Sequence, residues 1–328
     1  MARGRILSAR VKLETRANDF LAERRRLGFE STCMGFALRS FARYIDALGH
    51  RGPLTMEIMA DWARRDKRNR TTPITWARRL KILRPFARYL QQFEPRTEVP
   101  DESIFGPVDQ RLAPHIYSEQ EIVDLLRAAR QLRPDLRGAG YEALFGLLAA
   151  TGLRVSEALH LCDGDVDLKV GMLTVRCTKF AKSRQVPLHP STIQALSRYR
   201  GLRNRYVERN PDGPFFVGTQ GTHWGQRLRG ASVDRIFADL RDRLGWVNRG
   251  AHHAPRVHDL RHTFVVRRVM LWHEQGINVD QAMLSLSTYV GHAMVTNTYW
   301  YLTAVPELVA VAAAKFESFA RRPEVRHG

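Results

Sequence analysis

Through the first third of the chain, apolar residues recur three and four positions apart, the repeat of a helix with one buried face. Phe36, Leu38, Phe41, Tyr44, Ile45 and Leu48 are one such stripe. The same repeat predicts helices over 13–27, 32–48, 55–70 and 73–93. Their ends carry stop and start signals. Gly49 follows the second stripe, Thr55 can cap the third helix, and Thr72-Pro73 sets a hydroxyl before a proline at the first helical position. Pro85 removes one backbone donor and should kink the fourth helix without ending it. Between 94 and 114 the repeat is broken by Pro95, Pro100, Pro107 and Pro114, the composition of a linker.

Periodicity returns after Tyr117. Ser118 and Glu121 form a capping-box pattern ahead of a helix over 122–129, and an apolar helix over 141–150 runs into Gly152, which should break it. Short β-prone runs at 172–177 and 184–188, with Gly171 before them and lysines between, predict a small hairpin sheet. A basic helix over 198–209, a loop over 211–223 around Phe215-Phe216-Val217 and a helix over 232–244 follow. Beyond Pro306, Val305, Leu308, Val309, Ala312, Phe316 and Phe319 make a last helical stripe, able to pack on its own domain or on another copy. The pattern predicts a mainly α protein with a small β-sheet. Its two domains are a helical one over 1–113, with linker from about 94, and a mixed α/β one over 114–328.

Charge adds a partner to this picture. The chain has 52 Lys and Arg against 33 Asp and Glu, a net charge of +19 and a pI near 10.7. An excess spread along Arg-rich helical stretches, such as Arg24-Arg25-Arg26 and Arg64-Arg65, points to a polyanion held through counterion release. Cys33, Cys162 and Cys177 have no C-x-x-C spacing, so neither a disulfide framework nor a zinc site is expected. No window approaches the length of a membrane span, and the start lacks a secretory apolar core. A cytoplasmic, DNA-associated protein is the expectation.

Candidate chemistry gathers between His258 and Tyr301. His258 and Arg261 share a helix face, and an imidazole beside a guanidinium suits a phosphate with a proton to move nearby. Arg154 and Glu157 are likewise three apart, so the carboxylate can hold the guanidinium in one orientation. A lysine on the hairpin, Lys179 or Lys182, can reach into a groove and protonate a leaving hydroxyl. Tyr299 and Tyr301 are candidate nucleophiles, since fixed positive charge favours a phenolate that attacks phosphorus. A helix turns about 100° per residue, so only one of the two can face the phosphate. His189, His252 and His253 lack partner ligands at metal spacing. Metal-free phosphoryl transfer is therefore expected, with no cofactor.

Taken in order, Thr151-Gly-Leu-Arg154 with Glu157, Lys179 before Val186-Pro187-Leu188, His258-x-x-Arg261, Gly291-His292 and a tyrosine resemble the tyrosine recombinase, or phage integrase, family. The front half is similar in layout to that family's helical, SAM-like core-binding domain. The resemblance implies a DNA clamp of two domains, with Arg154, Arg261 and His292 on the scissile phosphate and Lys179 as general acid. It implies that His258 assists the tyrosine proton and that Glu157 supports Arg154. The family's interval from the Gly-His histidine gives the nucleophile as Tyr301, because 301 − 292 = 9 and 299 − 292 = 7. Tyr299 is then a packing residue.

The implied function is site-specific breakage and rejoining of DNA through a 3′-phosphotyrosine, for a mobile element or phage. The implied partners are double-stranded recombination sites and further copies of the chain. These would form a tetramer in the synapse, joined by the terminal helix, and a monomer or dimer when free; partner recombinases or DNA-bending proteins can also take part. Three rivals are a type IB topoisomerase, a DNA-binding module without catalysis and a metal-dependent nuclease. The terminal stripe speaks against the first and the complete residue set against the second. Asp163, Asp165 and Asp167 alternate without a partner motif, which speaks against the third.

Overall fold

The computed structural model describes residues 12–29, 32–65, 72–108, 112–176, 183–291, 294–296 and 298–300. The chain divides into two compact units, 1–111 and 112–328.

The first unit contains α1 (Leu13–Arg26), α2 (Thr32–Ala47), α3 (Met56–Arg64) and α4 (Pro73–Leu90). Their apolar stripes meet in a core of Phe20, Leu21, Leu38, Phe41, Met59, Trp62, Leu80, Leu83 and Phe86. Phe41 and Trp62 pack edge to face at 5.3 Å between ring centres. Thr55 caps α3, accepting from the Ile58 N–H, and α4 starts on Pro73 and continues through Pro85 to Leu90. α3 stops at Arg64, short of the predicted 70. Phe36 departs from its stripe: 65% of it is exposed, because α2 turns its Leu38, Phe41 and Ile45 edge inward.

Residues 94–108, where the prolines predict a linker, pack on the first unit. The Glu98 N–H donates to the Leu54 carbonyl at 2.8 Å, Gln91 donates to the Thr97 carbonyl at 2.8 Å, and Arg84 to that of Pro100 at 2.7 Å. Val99, Ile104 and Phe105 pack on the helical core. Proline breaks the helical repeat, but it leaves an extended chain whose carbonyls can be pinned by side chains from α4.

In the second unit, α5 (Glu119–Arg130) opens on the full capping box, with Ser118 and Glu121 each bonding the other's backbone N–H at 3.1 and 2.7 Å. α6 (Asp135–Thr151) is the central helix; Leu136, Leu144, Phe145, Leu147 and Leu148 are all buried, and it touches α5, α8 and α10. It ends at Gly152, whose φ of +62° suits glycine; a β-carbon there would also come within 2.6 Å of Phe264. α7 (Val155–His160) follows, then an antiparallel sheet of β1 (Val166–Asp167), β2 (Met172–Val175) and β3 (Arg184–Pro187) in that order. Leu173 pairs with both Val166 and Val186, so the buried positions align across the sheet.

α8 (Pro190–Arg203) begins earlier than the basic stretch 198–209 predicts, because His189 caps it and Pro190 supplies a preset first turn. It is also less basic at its surface than the sequence implies. Arg200 and Arg203 both face Asp163 in ion pairs, and Arg203 is buried. α9 (Gly230–Leu244), α10 (Asp259–Glu274) and α11 (Val279–Val290) complete the described elements, α10 and α11 meeting through Val265, Val269, Met283 and Leu286. Among the described residues, no helix is long and apolar enough to cross a membrane.

Candidate active site

Four helix ends and one strand start converge in the second unit. The sharp turn at Gly152 throws the chain from α6 into Arg154, which occupies the N-cap of α7. One turn on, Glu157 accepts from Arg154 Nη1 at 2.7 Å and from the Arg154 backbone N–H at 3.0 Å. The pairing expected from the three-residue spacing is therefore closed at both ends, through side chain and main chain.

Arg261 sits in the first turn of α10 and is 2% exposed. Its Nη1 donates to the Gly152 carbonyl at 2.6 Å and its Nη2 to that of Val290 at 2.7 Å. Arg154 Nη2 donates to the next carbonyl along, Gly291, at 2.8 Å. Both arginines thus grip the carboxyl end of α11, where unpaired carbonyls and the negative end of the helix dipole favour cations. α11 is capped there by Gly291 in the left-handed region, at φ +72°.

A third arginine, Arg184 at the start of β3, joins the same cluster, and the sequence had given no role to it. Nη1 and Nη2 donate to the two carboxylate oxygens of Glu157 at 3.1 and 2.8 Å, and Nε donates to the Tyr289 carbonyl at 2.9 Å. Its sequence signal is only a cation opening a strand, five residues after Lys179. Desolvation works against the charge of Glu157. The Arg184 hydrogen bonds, the Arg154 N–H and the two guanidinium charges outweigh it and hold this carboxyl below the ordinary range.

His258 stands at the N-cap of α10, one turn before Arg261, with its ring edge-on to His262 at 5.0 Å. Desolvation by surrounding protein, then the charges of Arg261 and Arg256, push its imidazole down to about 4, although its side chain keeps an exposed face. It is therefore neutral at neutral pH and can accept a proton. Trp300 packs 6.2 Å from His262.

Tyr299 points elsewhere. Its hydroxyl lies 3.5 Å from Asp280, in the first turn of α11, and its ring packs beside the core of α10 and α11. At about 1.5 Å of rise per residue, the ten residues from Asp280 to Val290 separate that contact from the arginine cluster by roughly 15 Å. The structure brings together Arg154, Glu157 and Arg261, with His258 next to Arg261. Lys179, Lys182, His292, Tyr301 and the apolar stripe beyond Pro306 lie outside the described residues. Among the described residues no group of three His, Cys, Asp or Glu is placed to hold a metal ion. Asp163 and Asp165 are instead paired with arginines, Arg200 and Arg203 on the first and Arg176 on the second.

Comparison with known proteins gives a consistent result. Residues 116–307 match the phage integrase family. The integrase/recombinase-like protein y4rB of Sinorhizobium fredii is 36% identical over 304 residues, covering 91% of this chain and 95% of that protein. The tyrosine recombinase XerC of Herpetosiphon aurantiacus is 28% identical, covering 79% of this chain and 77% of its own. In fold, the chain is similar to the Tn1549 transposon integrase solved with transposon right end DNA, at a TM-score of 0.66 and 17% identity over 94% of this chain and 100% of that one. The chain belongs to the phage integrase family, the tyrosine recombinases that cut and rejoin DNA strands at specific sites.

Proposed function

We propose that Tyr301 is the nucleophile of this recombinase and that Arg154, Arg261 and His292 hold the scissile phosphate of duplex DNA. The observation that supports this most is the convergence of Arg154 and Arg261 on adjacent carbonyls, Gly291 and Val290, immediately before His292. Two guanidinium groups fixed by protein carbonyls and a carboxylate cannot follow the substrate as it moves. Their charge is aimed in advance at the oxygens on which negative charge develops.

In the proposed step the Tyr301 oxygen attacks phosphorus, its proton passing to neutral His258, while the bond to the 5′ oxygen breaks and Lys179 protonates that leaving group. The products are a 3′-phosphotyrosine and a free 5′ hydroxyl. The phosphotyrosine conserves the phosphoester, so a 5′ hydroxyl from another strand can reverse the step and rejoin the DNA. The arginines carry the phosphate charge, so the step requires neither divalent metal nor nucleotide.

The basic first unit is assigned to the DNA duplex, and exchange between two sites requires several copies of the chain, four in a synapse. The lambda integrase structure, a dimer bound to a core site with a TM-score of 0.58 to this chain, supports more than one copy on DNA. The decisive experiment uses a duplex from the element's flanking DNA, nicked beside the cut so that the 5′ hydroxyl fragment escapes. Covalent adduct in the presence of EDTA, mapped to Tyr301, is the expected result; adduct at Tyr299, or none, overturns the assignment.

A further inference from the structure

Arg184 carries no role in the step above, yet its guanidinium is bound into the same cluster. All three of its nitrogens are engaged: Nε with the Tyr289 carbonyl at 2.9 Å, Nη1 with Glu157 at 3.1 Å, and Nη2 with Glu157 at 2.8 Å and the Val290 carbonyl at 3.3 Å. Only 12% of its side chain is exposed, against 33% for Arg154. Arg184 is spent on the same groups that hold the two phosphate arginines, Glu157 with Arg154 and the Val290 carbonyl with Arg261.

We propose that Arg184 is a positioning residue for strand cleavage, orienting Arg154 and the turn at Gly291 through Glu157 and the last carbonyls of α11. Three observations carry this. Glu157 is 8% exposed and takes the Arg154 guanidinium on one oxygen and the Arg154 backbone N–H on the other. Arg184 bonds both oxygens from β3, so the two arginines together fix the rotation of the carboxylate that aims Arg154. Gly291 packs directly on this guanidinium, since a β-carbon there would lie 2.5 Å from Arg184 Nη1. The left-handed turn at Gly291 is thus shaped around Arg184. Finally, Arg184 opens β3, the strand that follows the segment carrying Lys179, and ties it to α11.

A lysine at 184 keeps the charge but has one nitrogen, which cannot serve a carboxylate and a carbonyl on opposite sides of a planar fork. Removing an outer hydrogen-bonding partner of a metal ligand costs about tenfold to a hundredfold in function, and a loss on the same scale is expected here. The inference rests on the assignment of Arg154 to the scissile phosphate, and its test separates the two. Single-turnover cleavage is measured at saturating suicide duplex for wild type, Arg184→Lys and Arg184→Met, on a phosphate and on a methylphosphonate at the cut. Methyl in place of a non-bridging oxygen leaves less charge for Arg154 to neutralise. The expected result is a loss of about tenfold to a hundredfold on phosphate that shrinks severalfold on methylphosphonate, with DNA affinity held within about threefold. Each ratio comes from one protein preparation, so partial unfolding cancels. Equal losses on both substrates, or cleavage within threefold of wild type on phosphate, overturn the role of Arg184. Failure of the wild type itself to form adduct overturns the site assignment.

Discussion

Arg154 Nη2 donates to the Gly291 carbonyl at 2.8 Å, joining the turn after α6 to the end of α11 across 137 residues of sequence. The bond places a guanidinium with an exposed face beside the residue that leads into His292.

Arg154→Lys and Arg261→Lys should leave DNA affinity within a few-fold and reduce adduct formation by about a hundredfold or more, the scale of losing one preorganised donor to a developing charge. Arg261→Lys should also destabilise. A single ammonium matches the carbonyls of Gly152 and Val290 less well than the planar fork, and a weakened buried hydrogen bond costs about 1 kcal/mol. Gel-shift titration, suicide-substrate kinetics and urea denaturation separate the three readouts; normal cleavage by Arg261→Lys removes it from the site.

Tyr301→Phe deletes only a hydroxyl, so fold and DNA affinity should persist while adduct disappears. Tyr299→Phe should cleave normally, because its hydroxyl is 3.5 Å from Asp280, at the other end of α11 from the arginines. Gel mobility of the trapped protein–DNA adduct distinguishes the two variants directly.

Stability should fall as pH drops from about 6.5 towards 4, in part through His258. Its folded pKa is depressed from 6.5 to about 4, so the unfolded chain binds a proton first, and the favourable contribution present above 6.5 is lost on acidification. His262 is depressed in the same direction. His258→Asn should therefore reduce the slope of urea stability against pH in that window without abolishing it. An unchanged slope would show that solvent at the exposed face of the ring cancels the effect.

Gly291→Ala should impair both folding and cleavage. A left-handed φ of +72° costs an L-residue roughly 1–2 kcal/mol, and the added methyl meets Arg184. Thermal unfolding and cleavage of the purified variant test this; a wild-type-like Gly291→Ala would mean that Arg184 moves aside freely.

Truncation after Pro306 removes Leu308, Val309, Phe316 and Phe319. If this stripe docks on a neighbouring copy, binding to a single site should survive while assembly of paired sites is lost. Sedimentation of the protein on one-site and two-site DNA provides the measurement. Unchanged assembly would return the stripe to its own domain.

Much of the helical fold was legible in the sequence because its signals are local. The Ser118–Glu121 capping box, Pro73 at a helix start, the break at Gly152 and the Arg154–Glu157 pairing each span a few residues, and such short-range hydrogen bonds form wherever the chain goes next. The family followed from the order of the motifs. Other features depend on distant partners. Prolines at 95, 100 and 107 disfavour a helix by local sterics and lost donors, but only Arg84, Gln91 and the core of the first unit turn the stretch into part of a domain. Arginines in α8 look like a basic surface until Asp163 faces them, and Phe36 looks buried until α2 is rotated against its neighbours. Arg184 is the sharpest case. Nothing within five residues of it shows that its partners stand 27 and 105 positions away. A sequence fixes which side chains can donate or accept, whereas only the packed chain decides which donors meet which acceptors, because burial makes each unpaired group costly and topology limits the partners within reach.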